Sequence, residues 1–404
     1  MAKKLSSVLG VDIGSKYIKV AEVKLQGRQP VVTAIGMVET PQGSVDHVGI
    51  NDPKAVGAVL KQLCAQVGAS VNDVVLSLAG QGSILVRTLE VPTMNDGELK
   101  QHMEWEINRN IPFSESTVVS DYKAFPPDQP GAQNMDVVMA IAPQSVVDMM
   151  GEMLKTSGKK PAAYDVEPLG IARTLKIGYE TEYAGKTVCV VEVGHKTTAI
   201  NIYRDGKLLM PRQVPIGGEM FTRAIADTLG VSSEEAESMK ISDGRIPGDA
   251  AAAAPAFNTF ETQSFAPYNP FGDTTEEAAP AEATDIVAPE VTTPEPASSG
   301  MSEESMRIYN AMAGIVEEFA AEIRRSVDYY RSKGGEVDVV LLCGGGSRMK
   351  GLGEFIESML QIPTHMMNPL KGVTVSAKKA DSGSIEENKE EYAVAVGNGL
   401  HICF

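Results

Sequence analysis

The chain has little cysteine, and this scarcity excludes two classes of protein. Its 404 residues contain four cysteines, Cys64, Cys189, Cys343 and Cys403, and no two of them have the CxxC spacing. A disulfide-stapled secreted domain or a zinc knuckle would need cysteines at closer, regular spacing. We therefore expect reduced thiols in a cytoplasmic protein, with two of them inside buried strands.

The chain also lacks a long hydrophobic run. No window approaches the roughly 18 uncharged apolar residues that a membrane-spanning helix needs. The first ten residues, MAKKLSSVLG, lead directly into Asp12, Lys16 and Lys19, which leaves no uninterrupted apolar segment for a signal peptide. We predict a soluble protein that reaches a membrane only through a partner.

Positive charge is scarce as well. Lys and Arg number 36 against 53 Asp and Glu, for a net charge of −17, and no Lys/Arg cluster offers a footprint for nucleic-acid phosphates. We therefore predict no nucleic-acid partner. Two phosphate-binding motifs are also missing. There is no P-loop GxxxxGK[ST], and the glycines at 344–346 do not complete a Rossmann GxGxxG.

Residues 10–23, GVDIGSKYIKVAEV, have a pattern typical of a β-hairpin with polar groups at its turn. Gly14 lets the backbone approach a phosphate because no Cβ intervenes. Consecutive backbone N–H groups in such a turn bind anions, and Ser15 and Lys16 add donors. Asp12 would repel phosphate, so we expect it to hold Mg²⁺ through water. Taken alone, the pattern indicates a tight hairpin with a satisfied turn aspartate at least as well.

The same pattern recurs later in the chain. Residues 187–203, TVCVVEVGHKTTAINIY, contain a strand, Glu192, Gly194, the turn residue Thr197 and a second strand. Residues 337–352, VDVVLLCGGGSRMKGL, form a strand that runs into glycines. The candidate residues at this strand end are Gly344, Gly345, Gly346, Ser347 and Arg348. Two such hairpins and a glycine-rich strand end resemble the actin-like ATPase fold that sugar kinases and heat-shock chaperones share.

This resemblance implies an α/β chain with the actin-like (ribonuclease H-like) fold, whose two lobes enclose a nucleotide cleft. In that family the two hairpins clamp the phosphates from opposite lobes, and the glycine-rich strand end cradles the adenosine. Carried onto this chain, the resemblance implies ATP and Mg²⁺ as cofactors, with Asp12 and Glu192 holding the metal through water.

A strand that ends in Glu167 and Pro168 passes into an apolar helix. Proline suits the first helical turn, which leaves Glu167 at the helix N-terminus, where the dipole favours its charge. The position resembles the one where actin-like ATPases place a water-orienting Glu or Gln. Glu167 is therefore a candidate to position the attacking water. An N-terminal carboxylate without a chemical role explains the pattern about as well.

Two further segments resemble nucleotide contacts of the family. Gly217 and Gly218 precede a helix, as in the family's Gly-Gly segment beside the nucleotide. Residues 233–240, SEEAESMK, resemble the Ala-Glu-x-x-Lys motif of the bacterial cell-division branch, which implies that Glu237 and Lys240 flank ribose and base. Without the other motifs, an i,i+3 ion pair on a solvated helix face would be the simpler interpretation.

Several segments sharpen the resemblance to one branch, the PilM family of type IV pilus assembly proteins. They are residues 75–113, the AIAP at 140–143, the DVEPLGIART at 165–174 and the EIRRSVDYYRSKG at 322–334. The likeness covers nearly the whole chain outside residues 243–300. It implies an ATP-binding cytoplasmic protein at the inner face of the inner membrane. It also implies a cleft that grips the N-terminal peptide of PilN and links the membrane platform to the pilus motor.

The motifs predict a division of the chain into two lobes, a subdomain and an insertion. Residues 83–163 form the α+β subdomain that this branch shares with FtsA. The first lobe is expected over 1–82, 164–186 and 391–404, and the second over 187–242 and 301–390. Residues 243–300 contain eight prolines and no sustained periodicity, so we expect disorder there. In the subdomain, a helix near residues 95–108 carries Leu99, Met103, Ile107 and Trp105, which we assign to core packing.

Two alternatives remain beside a scaffold with at most slow ATPase activity. An FtsA-like polymerising membrane tether would carry a C-terminal amphipathic helix after a linker, and this sequence ends in HICF directly after the last predicted helix. A small-molecule kinase would need a catalytic aspartate, which we do not find. Glu192 stands where the family more often has Asp, which bears on Mg²⁺ geometry and hydrolysis. The oligomeric state stays open, with a homo-oligomer among the options.

Overall fold

The computed structural model describes residues 5–78, 84–113, 117–126, 131–248 and 301–404. Residues 249–300, most of the predicted disordered insertion, lie outside the described residues. Within the described ranges the strands form three sheets, two of six strands and one of three. None of the described helices is long and apolar enough to cross a membrane.

The first sheet forms the centre of one lobe. Its strands are β1 (Ser7–Ile13), β2 (Tyr17–Gln26), β3 (Gln29–Glu39), β4 (Asp73–Leu78), β8 (Lys160–Val166) and β15 (Thr374–Val375). They run in the order β15-β3-β2-β1-β4-β8, with β1 antiparallel to β2 and parallel to β4. Helices α1 (Pro53–Val67) and α3 (Gln144–Ser157) pack in one hydrophobic core with this sheet, and α10 (Ala393–Gly399) packs in another.

Two segments join this lobe that the predicted boundaries place elsewhere. Helix α3 falls inside the predicted subdomain, yet it buries Met150, Met153 and Leu154 in the same core as α1. Strand β15 falls inside the predicted second lobe, yet it pairs in parallel with β3. The chain therefore reaches the first sheet by residue 374, before the predicted boundary at 391.

The second sheet forms the centre of the other lobe. Its strands are β9 (Thr187–Val193), β10 (Thr198–Arg204), β11 (Lys207–Met210), β12 (Gln213–Val214), β13 (Val339–Cys343) and β14 (Thr364–Met366). They run β11-β10-β9-β13-β14, with β12 paired to β10. Helices α5 (Gly218–Leu229), α6 (Ser233–Ser242), α7 (Glu303–Ser332) and α8 (Leu352–Leu360) share its core.

Two features of this second lobe bear on the sequence predictions. Cys189 and Cys343 are fully buried in β9 and β13, as predicted, and all four cysteines are free thiols. Ile246 is fully buried in the core of the lobe. Residues 243–248 therefore belong to the second lobe, and the predicted start of the insertion at 243 is too early.

The third sheet forms a small subdomain. Its strands β5 (Leu85–Pro92), β6 (Val118–Ala124) and β7 (Asn134–Pro143) run in the order β5-β7-β6, with antiparallel pairing. Helix α2 (Asp96–Arg109) begins at an Asn95 capping box and buries Leu99 and Met103, as predicted. Trp105 is 55% exposed, so the prediction that it packs in the core is wrong. Two residues beyond Met103 are about 200° of helical rotation, which turns Trp105 away from the sheet.

The subdomain is also attached to the second lobe. The Thr88 hydroxyl on β5 donates to the Leu209 carbonyl on β11 at 2.8 Å. Lys207 on β11 forms an ion pair with Asp136 on β7. Val138 on β7 packs in the core that contains the second-lobe strand residues. Since β7 leads directly into α3 of the first lobe, the subdomain contacts both lobes.

The lobes meet at α4 (Glu167–Tyr179) and α10, because residues of both helices share a core with strands β9 and β13 of the second sheet. A Cβ on Gly397 would lie 2.0 Å from the carbonyl oxygen of Gly170, so only glycine permits this backbone-to-backbone contact. The Asn398 amide on α10 donates to the Val11 carbonyl on β1 at 2.9 Å. The contact between the lobes therefore lies directly beneath the first hairpin. One remaining helix, α9 (Ser382–Glu387), lies between β15 and α10 in the chain.

Candidate functional site

A cavity of about 520 Å³ lies between the two lobes. The first lobe contributes the β1–β2 turn and the loop before α1. The second lobe contributes the β9–β10 turn, α5, α6 and the turn after β13. The two predicted phosphate hairpins and the glycine-rich turn therefore line a single cavity.

The two hairpin turns share one backbone geometry. The Gly14 amide donates to the Tyr17 carbonyl at 3.0 Å, and the Gly194 amide donates to the Thr197 carbonyl at 3.0 Å. A Cβ would lie 2.8 Å from that carbonyl oxygen at residue 14 and 2.7 Å from it at residue 194. Both turns close so tightly that they require glycine. Gly14 and Gly194 both line the cavity, so each turn brings its backbone close to a bound ligand.

A buried lysine that the sequence analysis did not assign to the site lies among the acids. Lys19 faces Asp12 across the first hairpin, and its Nζ lies 2.9 Å from Asp12 Oδ2. Burial opposes its charge, but the carboxylates of Asp12, Glu391 and Glu192 outweigh burial and raise the pKa of Lys19. Lys19 is therefore a fixed cation on the cavity floor. Its place opposite Asp12 in a regular antiparallel hairpin was the signal that could have identified it.

Glu192 and Glu167 lie on the same floor. Burial, and then the Asp12 carboxylate, raise the pKa of Glu192 to about 7 against the opposing effect of Lys19. Burial, Glu192 and Asp12 likewise raise the pKa of Glu167 well above its usual range. Glu192 Oε2 is buried and has no hydrogen-bond partner among the described residues. A cation or a hydrogen-bond donor placed here would therefore be strongly stabilised.

These acids fit a magnesium ion held through water. The described residues contain no group of three His, Cys, Asp or Glu side chains placed to hold a metal ion. Asp12 and Glu192 nevertheless bring two carboxylates to one cavity, and Glu192 Oε2 is a free acceptor for a metal-bound water. Mg²⁺ typically keeps several waters and binds through one or two carboxylates together with substrate phosphates.

A polar cluster from α5 and α6 forms the opposite wall. Glu237 Oε1 lies 2.6 Å from Lys16 Nζ, and Glu237 Oε2 lies 2.6 Å from Lys240 Nζ. The Thr222 hydroxyl donates to Glu237 Oε2, and Lys240 also donates to the Gly218 carbonyl at 3.0 Å. Burial opposes the charge of Glu237, yet the donors Lys16, Lys240 and Thr222 lower the pKa of Glu237 to about 2. The predicted Glu237 and Lys240 thus form an ion-paired cluster at the cavity.

The glycine-rich turn after β13 forms a further part of the wall. The Gly344 amide donates to the Glu390 carbonyl at 2.9 Å, which ties the turn to the segment before α10. Arg348 hydrogen-bonds to Asn388 and lies 3.5 Å from Glu391. Ser347 is buried, and its hydroxyl donates to the Gly344 carbonyl at 2.6 Å. Ser347 therefore closes the turn and does not line the cavity.

Most of the predicted site residues meet at this cavity. Those that line it are Asp12, Gly14, Ser15, Lys16, Glu167, Glu192, Gly194, Thr197, Gly218, Glu237, Lys240, Gly344, Gly345, Gly346 and Arg348. Gly217 and Ser347 are absent from the lining. Gly217 packs against the His195 carbonyl, where a Cβ would come within 2.5 Å, so it shapes the second hairpin from behind. Lining residues that the sequence analysis missed include Lys19, His195, Asn388 and Glu391.

A sequence model described as "Type IV pilus assembly protein PilM" matches residues 10–253, more than half of the chain. The chain belongs to the PilM family. A second model, for the cell division protein FtsA, matches residues 189–397. This PilM-family protein is thus also related to FtsA, as the predicted resemblance implied.

Individual relatives agree with this assignment. The cell division protein FtsA of Escherichia coli (strain K12) is 24% identical over 262 residues, which are 59% of this chain and 60% of FtsA. The match therefore spans less than two thirds of that relative. Among solved structures, a chain of the "PilM-PilN type IV pilus biogenesis complex" matches at 24% identity with a TM-score of 0.76. The match covers 100% of this chain and 100% of that chain. The ethanolamine utilization protein EutJ of Carboxydothermus hydrogenoformans matches 98% of this chain and 91% of EutJ, at 14% identity and a TM-score of 0.50.

These matches confirm the predicted fold. The PilM-family protein has the actin-like ATPase fold, with two lobes around a cleft and an additional α+β subdomain. Its family is one of type IV pilus assembly proteins.

Proposed function

We propose that this PilM-family protein binds Mg·ATP between its lobes and uses it to control a scaffold of type IV pilus assembly. The observation that carries the proposal is the convergence of two matched glycine hairpins and a glycine-rich turn on one cavity. Such turns let a polypeptide backbone approach phosphates closely. The hairpins come from opposite lobes, so a ligand held by both would fix the distance between the lobes.

We assign the cavity residues to different parts of a nucleoside triphosphate. Lys19 and Lys16 supply cationic donors to the phosphates from the first lobe. Glu237 and Lys240 face the ribose and the base from the second lobe, and the turn at Gly344–Arg348 flanks the adenosine. Asp12 and Glu192 would hold Mg²⁺ through its waters, and the ion would neutralise phosphate charge.

Glu167 is the candidate for positioning an attacking water. It stands at the N-terminus of α4 and lines the cavity beside the acidic floor. Burial and the carboxylates of Glu192 and Asp12 raise its pKa, which disfavours the ionised form that would accept a proton from the water. We therefore propose slow hydrolysis, with the nucleotide acting mainly as a binding signal.

For the partner, we propose the cytoplasmic N-terminal peptide of PilN, which would bring this protein to the inner face of the inner membrane. Family membership and the likeness to a PilM–PilN complex support this partner. The subdomain offers a route for coupling, since Thr88 and Lys207–Asp136 join it to the second lobe while β7 runs into α3. A change in lobe spacing would then move the subdomain. Other platform and motor proteins of the pilus would sense the same change.

The test is a thermal unfolding titration with Mg·ATP, with a synthetic peptide of the PilN N-terminus from the same genome, and with both. A ligand present at a hundredfold excess over its Kd stabilises the folded state by about 2.7 kcal/mol. The proposal predicts a shift with each ligand and a combined shift that differs from the sum of the two. A shift with ATP alone would favour a kinase or a filament, and no shift with ATP would overturn the nucleotide proposal.

A further inference from the structure

One ion pair crosses the cleft directly. Lys16 lies in the β1–β2 turn of the first lobe, and Glu237 lies on α6 of the second. Their charged atoms are 2.6 Å apart, and the two side chains are 33% and 24% exposed. Both residues line the cavity, so the contact is part of the wall that a ligand must meet.

The carboxylate of Glu237 accepts hydrogen bonds from three side chains. Oε1 accepts from Lys16, while Oε2 accepts from Lys240 and from the Thr222 hydroxyl. Lys240 and Thr222 belong to the same lobe as Glu237, and only Lys16 comes from the other lobe. Losing Lys16 would therefore leave Glu237 with two donors from its own lobe, Lys240 and Thr222.

Lys16 is in the opposite situation. Glu237 is the carboxylate with which it forms an ion pair, and an ammonium on a phosphate-facing turn is an equally good partner for a polyphosphate. A phosphate chain at the first hairpin would thus compete with Glu237 for one cation. A ribose would compete with Lys16 for Glu237 Oε1, since hydroxyl groups donate to a carboxylate.

We infer that the Lys16–Glu237 pair is a latch across the cleft, which a nucleotide opens by taking Lys16 with its phosphates and Glu237 with its ribose. The inference rests on the proposed function, because it gives the proposed nucleotide site an internal competitor. Its consequence is selectivity. A polyphosphate without a ribose must break the latch and gains nothing at Glu237, whereas a ribonucleotide replaces both halves of the contact.

The test uses calorimetric titration of the full chain with magnesium tripolyphosphate and with Mg·ATP. The main variant is Glu237→Gln, which keeps the shape of the side chain and weakens its hold on Lys16. We expect tripolyphosphate to bind about three- to fivefold more tightly, the upper part of the range for losing a partly exposed competing ion pair. ATP should gain less than tripolyphosphate, because its ribose loses a charged acceptor.

Controls separate the latch from a general change in charge. Glu234→Gln alters an exposed acid on the same helix and should leave both affinities within about twofold of the wild type. In a Lys16→Gln background, Glu237→Gln should no longer tighten tripolyphosphate binding, because the competing pair is already broken. If Glu237→Gln folds poorly, Glu237→Asp replaces it in the test. That variant shortens the acid by one methylene and should tighten tripolyphosphate binding by an intermediate amount.

The outcomes distinguish the latch from the nucleotide proposal. If wild-type protein binds ATP and Glu237→Gln leaves tripolyphosphate affinity unchanged, the latch is wrong and the nucleotide site stands. Tightening that persists in the Lys16→Gln background also overturns the latch, since it would come from net charge. If wild-type protein binds no ATP, the proposed function fails and the nucleotide-opened latch fails with it, even if Glu237→Gln tightens tripolyphosphate binding.

Discussion

The two hairpins that face the cavity are alike in backbone and unlike in charge. Each closes a turn with the same 3.0 Å amide-to-carbonyl bond, and each has an acid two residues before its glycine. In the first, Asp12 faces Lys19 across the strands. In the second, Glu192 faces Ala199. Across its own hairpin, one acid therefore faces a cation, and the other faces a small apolar side chain.

This difference explains the electrostatics of the cavity floor. Lys19 pairs with Asp12 at 2.9 Å, whereas Glu192 Oε2 has no hydrogen-bond partner in the part of the chain that the structure describes, and burial raises the pKa of Glu192 to about 7. The acid of the first hairpin thus has a counter-ion before any ligand binds. The second is completed only by a cation or a donor brought in from elsewhere.

Removing Lys19 should have the largest effect, because it takes away the cation that distinguishes the first hairpin from the second. In Lys19→Met, Asp12 loses its cation while Glu192 and Glu167 stay nearby, and breaking such a buried pair costs about 3–5 kcal/mol. We expect a loss of unfolding free energy in this range and a loss of nucleotide binding, measured by urea denaturation and calorimetry. Lys24→Met is the matched control on the same strand. Its partner Glu22 keeps other donors, so the loss should be much smaller.

Neutralising Glu192 should remove a pH dependence. Because the folded pKa of about 7 exceeds the unfolded value, folded protein holds the extra proton between roughly pH 4.5 and 7, and stability falls as pH rises through that window. We expect wild-type protein to lose about 1–3 kcal/mol between pH 5 and pH 8, and Glu192→Gln to lose less. Glu167 titrates in the same direction, so some slope should remain. Urea unfolding at four pH values measures this, and equal slopes in both proteins would contradict it.

Giving the second hairpin its own lysine should make the two halves alike. Ala199 lines the cavity opposite Glu192, so the side chain of Ala199→Lys can extend beside that carboxylate. An ammonium there favours the charged form of Glu192 and partly replaces Mg²⁺. We expect ATP affinity measured in EDTA to rise about tenfold, the effect of roughly one charge-assisted contact. Ala199→Met, of similar size and without charge, should show no gain.

The backbone geometry that the two hairpins share predicts equal effects of the same substitution in each, smaller than the effects above. Gly14→Ala and Gly194→Ala each place a Cβ against a turn carbonyl at nearly the same distance, 2.8 and 2.7 Å. We expect each to destabilise the protein by about 1–2 kcal/mol and to weaken nucleotide binding alike. Thermal and urea unfolding would measure the first effect. A difference of more than about 1 kcal/mol between the two variants would show that the turns are not equivalent.

The sequence predicted the turns better than it predicted their surroundings. Gly14 and Gly194 were identifiable because a tight turn demands glycine, and Asp12 and Glu192 because the same acid-x-Gly pattern occurs in both segments. Lys19 was not assigned to the site, because its role depends on which residues face each other across the hairpin. Glu391 was missed for a stronger reason, since only tertiary packing brings the segment before α10 to the glycine-rich turn.

Local errors have similar causes. Ser347 belongs to a predicted nucleotide motif, yet the tight turn after β13 uses its hydroxyl internally. Trp105 carries the largest apolar side chain of α2, yet helical rotation places it outside the core. Strand β15 is two residues long, too short for any periodicity, and only its pairing with β3 shows that it belongs to the first sheet.

The most direct test of the central claim is a calorimetric titration of Mg·ATP into wild-type protein, Asp12→Ala and Glu192→Ala. If both hairpins hold one nucleotide, wild-type protein binds with a stoichiometry of one, and each variant binds at least about tenfold more weakly while keeping its fold. Wild-type affinity retained in either variant would contradict a site shared by the two lobes.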